Sequence, residues 1–503
     1  IKLVAVRRGA GFSDSGTVLV EAAAFRRSKI DATTARQLAE AIARLWIGGQ
    51  ASVRGEGSGV IREGLVHFLA ILFFEKRFGK EAALAETLQA RLAYAQIARK
   101  DGPLSQTTPL DATYYNSVSN KGALVWRLVD RRVGRDVFIA SIRNVLQTTK
   151  GSDFTLALLR KDLAEKGGDA IKTLLDHQFD AVTDLDLMIG LPQQRGSEWV
   201  SALRNDGSSD VSVTATATTE TGQQVSAEAT VAARSFGEAR FNTSGKIVRV
   251  EVDPEKFYPQ TDHTNDVMPR AQAVAEMQNE SSRLLGAQEF AKAEALARDL
   301  LRLEPRLQDA RVTLARALLA QNKIDEAEKL FRAGLDEPLP TPKTLAWGAI
   351  GLGEIQLKRG QAAEAVKRFS EGARYEGEYS SSLVARNARI SAEAANAAAV
   401  DESARAFVKQ LDQAILSGKK VELEARIISG ELVRFIGGII GSQPEVWQTK
   451  VLRTELLDAN LMAVDVSVNA KQLGQDRAGS ALLILARSGN GWKLADIDLF
   501  EVR

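Results

Sequence analysis

The sequence has no cysteine, only three histidines and no apolar run long enough to cross a bilayer. Without cysteine the protein has no disulfides, thiolate metal sites or thiol nucleophiles, although secreted and cytosolic proteins can both lack cysteine. A mechanism that needs clustered imidazoles must draw on the widely spaced His67, His177 and His263. The longest apolar run, from Leu65 to Phe74, is about half a membrane span and is typical of a buried helix.

Neither sign of charge is in excess. Lys plus Arg number 66 and Asp plus Glu 64, so no global field favours nucleic acid or an anionic membrane surface. The sequence opens at Ile1 without methionine, and no signal-peptide pattern follows. We therefore expect the natural N-terminus, with any signal peptide, to lie before Ile1. The compartment stays open, and a periplasmic or extracellular one is favoured if a signal peptide has been removed.

The length of 503 residues predicts three or four domains in a multidomain α+β protein. Helical periodicity dominates to about residue 190, and strict alternation follows in Val211 to Thr218 and in Ile247 to Val252. The polar stretch from Pro259 to Asp266 is interpreted as a linker into new helices. The predicted domains are a mainly helical domain at 1–196, a small β-sandwich at 197–265, helical repeats at 268–400 and a C-terminal α+β domain at 401–503.

An internal repeat marks the third domain. Similar helical segments place Ala293, Ala327 and Ala365 at equivalent positions, 34 and 38 residues apart. The first interval matches the period of tetratricopeptide repeats, which this region resembles over about three units. Such a solenoid implies a concave surface for a partner segment. Gly351 and Gly353 follow no strand, so we interpret them as close helix crossings rather than as a phosphate loop.

The last hundred residues combine an amphipathic helix around Phe407 with four strand-like runs. This order resembles the fold of nuclear transport factor 2 and ketosteroid isomerase, in which a curved antiparallel sheet forms a conical pocket. Asp465, Asp496 and Asp498 lie on these strands, and parity places the last two on the same face as Leu494. Solvated strand faces are the default interpretation; an isomerase would need one aspartate buried as a base.

Residues 38–79 contain a motif of charged residues at defined intervals. The helix reads Glu40-Ala-Ile-Ala-Arg44, then Leu-Trp-Ile-Gly, and Arg-Glu-Gly places Glu63 after 18 intervening residues. This resembles the aminopeptidase N family of zinc peptidases, which has H-E-x-x-H followed by a glutamate as the third zinc ligand. The resemblance extends over about residues 1–265, including Ser119-Asn-Lys-Gly and the stretch Glu75 to Gly79.

The resemblance implies that the zinc site has been lost. Glu40 and Arg44 stand where the family has two zinc-binding imidazoles, and Ala41 replaces the glutamate that acts as general base. A lone carboxylate at Glu63 does not make a three-ligand site. Ser119 stands at the position of the oxyanion-stabilising tyrosine.

Two further positions bear on this loss. Tyr114 or Tyr115 would replace the missing tyrosine only with a shift of the loop. In Ala10 to Asp14, which corresponds to the family's G-A-M-E-N segment, Ser13 replaces the glutamate that holds the substrate's amino terminus.

Two interpretations of Arg44 are open. Its guanidinium takes the place of the zinc and neutralises Glu40 and Glu63, or it forms an ordinary exposed i,i+4 pair worth a few tenths of a kcal/mol. His67 lies one turn after Glu63 and is more typical of a hydrogen-bonded core histidine than of a displaced ligand. Asp253, Asp262 and Asp266 are interpreted as turn residues rather than as a cation site.

These observations predict a noncatalytic, peptidase-like binding or scaffold protein without a cofactor or metal. Its partner is expected to be a peptide or protein, held in the degenerate groove and the helical repeats, with no nucleic acid and no membrane-spanning segment. The alternatives are a metallo-aminopeptidase-type hydrolase with unusual ligands, and a small-molecule or enzymatic role of the C-terminal domain.

Overall fold

The computed structural model describes residues 1–6, 11–270, 273–375, 377–393, 400–489 and 491–502. Its contacts divide the protein into two compact units. The first consists of Ile1–Leu330 with Asp336–Thr341, and the second of Phe331–Leu335 with Pro342–Arg503. Ala10, at the start of the segment matched to G-A-M-E-N, lies outside the described residues.

The first unit begins with strands and helices in the following order: β1 Lys2–Val6, β2 Ser13–Asp14, β3 Thr17–Glu21, α1 Ala32–Arg44, β4 Ser52–Val53, a π-helix Val60–Leu65, α2 Val66–Phe78, α3 Lys80–Ala95, a second π-helix Asn116–Lys121, α4 Gly122–Val133, α5 Arg135–Thr148, β5 Asp153–Phe154 and α6 Leu156–Asp180. It continues with β6 Leu187–Ile189, β7 Gln193–Arg195, β8 Glu198–Asn205, β9 Val211–Thr219, β10 Gln224–Val231, β11 Ser235–Phe241, β12 Ile247–Val252 and β13 Val267–Met268.

The repeat helices are α7 Val274–Gly286, α8 Phe290–Leu303, α9 Gln308–Ala320, α10 Ile324–Asp336, α11 Pro342–Lys358, α12 Ala362–Tyr375 and α13 Tyr379–Glu393. The C-terminal elements are α14 Glu402–Leu416, α15 Lys420–Glu424, α16 Val433–Ser442, β14 Val446–Asp458, β15 Leu461–Gln472, β16 Gln475–Ser488 and β17 Gly491–Val502. No described helix is both long and apolar enough to span a membrane.

The start of α1 is fixed at both its side chain and its backbone. The Asp31 carboxylate caps the helix by accepting the Thr34 N–H at 2.8 Å. The Ala32 N–H donates to the carbonyl of Pro340 at 2.8 Å. Leu339 is buried in the same core cluster as the helices of residues 60–180. The segment at 336–341 therefore completes the N-terminal domain from far along the sequence.

Two glycines let the helices behind the candidate site cross in backbone contact. A Cβ atom on Gly64 would lie 2.5 Å from the carbonyl oxygen of Val118, and one on Gly122 would lie 3.1 Å from the Cα of Gly64. Only a residue without a side chain fits there. Both glycines belong to the motifs that carry the aminopeptidase resemblance, so their presence has a packing reason.

The β-sandwich is wider than the interval 197–265. One sheet has the order β10-β9-β12-β13, and the other has β11-β8-β6 with β7 also on β8. Strands β6, β7 and β13 lie outside the predicted interval because each is too short, at two or three residues, to show alternation. The predicted linker is also wrong: Gln260, Asn265 and Asp266 are buried.

Two of the repeat helices are buried on all sides over part of their length. In α9 the residues from Val312 to Ala315 are all buried, which covers every face of the helix. In α11 every residue from Thr344 to Gly353 is buried. Gly351 and Gly353 lie against the rings of Phe331 and Phe369, as expected for close helix crossings.

The C-terminal domain is a four-stranded antiparallel sheet in the order β14-β15-β16-β17, with α14 packed on one face. The parity argument for its aspartates is wrong. A bulge in β17 puts Leu494 opposite Leu485 but Asp496 opposite Ile484, so Leu494 and Asp496 belong to opposite faces. Asn490, in the predicted last hairpin turn, lies outside the described residues.

Candidate functional site

Three of the sequence-predicted residues meet in one cluster, the Arg44 cluster, formed by Glu40, Arg44 and Glu63. The Nη2 atom of Arg44 lies 2.8 Å from Oε2 of Glu63 and 3.4 Å from Oε2 of Glu40. The side chains are 26%, 23% and 14% exposed for Arg44, Glu63 and Glu40. One guanidinium thus joins α1 to the first π-helix while neutralising two carboxylates, and the cluster is only partly open to water.

Ala41 does not face this cluster. It is fully buried against Val18 and Val20 of β3, in a small apolar group beneath α1. Ser13, on the neighbouring strand β2, pairs with Val18, and its hydroxyl is buried with no partner among the described residues. A glutamate at position 41 would have to enter an apolar contact, which makes the position unsuited to a base in this protein.

Ser119 joins a different series of hydrogen bonds. Its Oγ lies 3.3 Å from Nδ1 of His67, and Nε2 of His67 lies 3.1 Å from Oε1 of Glu86. His67 is 1% exposed and so belongs to the core, as the sequence favours. Burial raises the pKa of Glu86, but the His67 hydrogen bond and the Arg36 guanidinium at 3.5 Å outweigh it and hold that pKa below its ordinary value.

Tyr114 lies near the Arg44 cluster, whereas Tyr115 is exposed. The Tyr114 hydroxyl packs over Gly59, where an added Cβ would meet it at 2.9 Å. Burial, and then the negative charge of Glu63, raise the pKa of the Tyr114 phenol. Tyr114 therefore remains a neutral hydrogen-bond donor at physiological pH, close to Glu63.

The donor set of the Arg44 cluster does not fit zinc. Zinc sites use three or four imidazole, thiolate or carboxylate ligands, and a guanidinium is always protonated and cannot act as one. Among the described residues there is no group of three His, Cys, Asp or Glu side chains placed to hold a metal ion. The cluster is chemically complete as an ion-pair network, with its two carboxylates satisfied by one cation.

A second arginine network, the Arg389 cluster, lies in the C-terminal unit and consists of Arg386, Arg389, Arg453, Glu455 and Asp465. Arg389 of α13 donates to Glu455 at 3.1 Å and to Asp465 at 3.1 Å. Arg386 also pairs with Asp465, at 3.0 Å. Asp465 is therefore neither on a solvated face nor available as a base.

Electrostatics in the Arg389 cluster favour the ionised form of Glu455. Burial alone would raise the pKa of Glu455, but hydrogen bonding to Arg453 and the charge of Arg389 lower it to about 2. Sequence reasoning missed this contact because Arg389 and Glu455 are 66 residues apart and carry no shared motif.

The comparisons with known proteins agree with this architecture. A tetratricopeptide-repeat family model matches residues 284–339. The structure is similar to the aminopeptidase A of Legionella pneumophila in complex with aspartic acid, with a TM-score of 0.51 and 13% identity, over 87% of this protein and 60% of that one. An M1 zinc metallopeptidase of Deinococcus radiodurans gives a TM-score of 0.28 and 20% identity, over 36% of this protein and 39% of that one.

No curated protein matches the sequence. The protein spans less than two thirds of the length of the Legionella structure, and the likeness concerns the fold. The protein matches an aminopeptidase-like fold in general, and the tetratricopeptide-repeat match lies at residues 284–339.

Proposed function

We propose that this protein is a noncatalytic relative of the zinc aminopeptidases that binds a peptide or protein partner. The observation that carries the proposal is the Arg44 guanidinium held between Glu40 and Glu63. These are the three positions that the family resemblance assigns to zinc ligands. A fixed cation there supplies neither a Lewis acid nor an activated water, and Ala41 supplies no base.

The binding role is supported by the repeat. Tetratricopeptide repeats are typical of protein–protein interaction. Since α9 and α11 are already buried, a partner would contact the outer faces of the repeat helices or the aminopeptidase-like part. The C-terminal domain resembles nuclear transport factor 2, and we propose a supporting role for it, because its most buried aspartate, Asp465, is occupied by arginines.

Metal content tests the noncatalytic role directly. The purified protein is incubated with excess zinc, desalted and measured by plasma mass spectrometry, alongside hydrolysis of aminoacyl nitroanilides. The expected result is zinc near zero per molecule and no hydrolysis. About one zinc per molecule, lost in Glu63→Ala, together with hydrolysis, would overturn the proposal.

A gain-of-binding variant provides the matched test of geometry. Glu40→His with Arg44→His places two imidazoles one turn apart on α1, facing Glu63, which is a complete set of three zinc ligands. This double variant is expected to bind about one zinc per molecule, and to lose it when Glu63→Ala is added. Failure to bind zinc would contradict the assignment of these three positions to a former metal site.

A serine hydrolase is the second candidate, because Ser119, His67 and Glu86 form a nucleophile, base and acid in hydrogen-bond sequence. The imidazole of His67 is oriented opposite to that of the Ser-His-Asp triad, because its Nδ1 rather than its Nε2 faces the serine. A fluorophosphonate probe distinguishes the candidates. Labelling that is lost in both Ser119→Ala and His67→Gln would support the hydrolase, and absence of labelling is expected for the noncatalytic protein.

A further inference from the structure

A cavity of about 890 Å³ lies within the first unit, where α3, the sandwich and the first repeat helices meet. We call it the junction cavity. Its walls are the end of α3 with the turn after it, strand β12 with the segment 256–267, and α7 with α8. Its volume is in the range of sites for small molecules or short peptide segments, which often form where domains meet.

One wall of the junction cavity is held rigid by a buried charge network. Asp266, fully buried, accepts hydrogen bonds from Lys256 at 2.8 Å and from His263 at 2.7 Å. Lys256 also contacts Glu251 at 3.1 Å. Because these contacts fix the segment that the sequence suggested as a linker, it is a preformed wall, and its lining side chains need little ordering when a ligand binds.

The charged lining residues balance in number, with five Arg or Lys against five Asp or Glu, but they are not all paired. The acidic lining residues Glu251, Asp262, Glu280 and Glu304 each pair with an arginine or lysine. Arg99 and Lys100 line the cavity and make no ion pair with any described residue, and of the acidic lining residues only Glu276 is likewise unpaired within the described ranges. Two unpaired cations in the turn after α3 thus face one unpaired carboxylate, which leaves a local excess of donors for an anionic group.

An apolar strip lies beside these cations. Leu92, Val274 and Leu296 line the cavity and are partly buried against a small core shared by α3, α7 and α8. Leu303, another lining residue, is 37% exposed. A ligand that complements the site has an apolar body and an anionic end.

We propose that the junction cavity binds a peptide segment by a carboxylate, held by Arg99 and Lys100, with an adjoining apolar side chain against the strip. This inference rests on the proposed peptide-binding function and assigns it a site away from the Arg44 cluster. The carboxylate is either the C-terminus of the peptide or one of its acidic side chains. Both sources present the same planar acceptor, which matches arginine and lysine donors.

Isothermal titration calorimetry with the full-length protein tests the proposal. The probes are acetyl-Ala-Leu-Leu-Glu with a free C-terminus, the same peptide amidated, and the amidated peptide with glutamine in place of glutamate. Removing both carboxylates is expected to weaken binding about tenfold or more. The amidated glutamate peptide distinguishes the sources: retained affinity assigns the acidic side chain, and lost affinity assigns the C-terminus.

The variant Arg99→Gln/Lys100→Gln changes two exposed side chains, so it should fold, and is expected to weaken the acidic peptide about tenfold. Lys161→Gln/Lys172→Gln, on α6, removes the same charge from exposed positions outside the cavity and should leave affinity unchanged. Equal affinity in both double variants, or no binding at millimolar concentration, overturns the cavity assignment. If Arg44→Met alone abolishes binding, peptide binding is retained as the function and only this site is wrong.

Discussion

At two places in the molecule an arginine lies between two carboxylates, and the two arginines differ in how deeply they are buried. In the Arg44 cluster the guanidinium is about a quarter exposed and joins two neighbouring helices. In the Arg389 cluster it is 2% exposed and joins the last repeat helix to the C-terminal sheet. The first lies at the positions that the sequence resemblance matches to zinc ligands, and the second connects α13 with strands β14 and β15.

The difference in burial decides what each arginine contributes. A partly exposed pair exchanges its protein contacts for water at small cost, whereas a buried pair that loses one partner leaves an uncompensated charge. Identical chemistry should therefore give a small stability effect at Arg44 and a large one at Arg389. The predictions below follow that order.

Arg389→Met is expected to have the largest effect. It removes the cation between Glu455 and Asp465 and should lower the free energy of unfolding by about 3–5 kcal/mol, measured by urea denaturation. Arg374→Met is the control, since Arg374 reaches Glu455 only at 3.5 Å and is 53% exposed. Its expected loss is below about 1 kcal/mol. A similar loss in both variants would remove the distinction between the clusters.

Gly64→Ala separates packing from charge in the Arg44 cluster, because it leaves Glu63 in place but forces apart two backbones. The added Cβ would meet the Val118 carbonyl oxygen at 2.5 Å. We expect a loss of about 1–3 kcal/mol in the same denaturation experiment. The matched control is Gly437→Ala on α16, where nothing lies within 4 Å, and which should be neutral or stabilising. An unchanged Gly64→Ala would mean that the helices can separate without cost.

Arg44→Met should destabilise by only about 1 kcal/mol, since the two carboxylates it leaves behind are partly hydrated. Differential scanning calorimetry at low and high salt checks this, because screening weakens the pair in the wild type. The melting temperature of Arg44→Lys, which keeps the charge, should lie between those of the wild type and of Arg44→Met. A melting temperature identical to that of the wild type would exclude a zinc-replacing role for Arg44.

The smallest expected effect is a dependence of stability on pH. The pKa of Glu455 is about 2 in the folded protein, against an ordinary 4.5, so its contribution is present above pH 4.5 and is lost as the pH falls from there towards 2. The melting temperatures of the wild type and of Glu455→Gln, measured between pH 6 and pH 3, should converge as the pH falls. A constant difference across that interval would show that Glu455 contributes by its shape rather than by its charge.

Local pattern was enough to predict the features that depend on helix periodicity. The position of Glu40 and Arg44 on one helix face follows from their interval of four residues, whereas the position of Glu63 beside them is expected only from the family resemblance. The repeat alanines likewise identify α8 and α10, where Ala293 and Ala327 are fully buried.

What sequence reasoning missed depends on contacts between distant segments. Glu86 is one of several acids on α3, and nothing local distinguishes the one that meets His67. Asp266 is a turn residue by composition, yet three side chains converge on it. The bulge in β17 places Asp496 on the sheet face opposite to Leu494. Side chains alternate between the two faces, so one extra residue moves the side chains that follow it to the other face.

The return of residues 336–341 to the N-terminal domain affects how the protein is made. Leu339 fills a place in the core of helices that are synthesised more than 150 residues earlier, and Pro340 accepts the first N–H of α1. During translation the aminopeptidase-like part stays open at this point until the repeat helices α7 to α10 have followed it. Domain-by-domain folding from the N-terminus, common in multidomain proteins, is thus delayed here, and a nascent polypeptide stalled before Leu339 would present an apolar gap to chaperones.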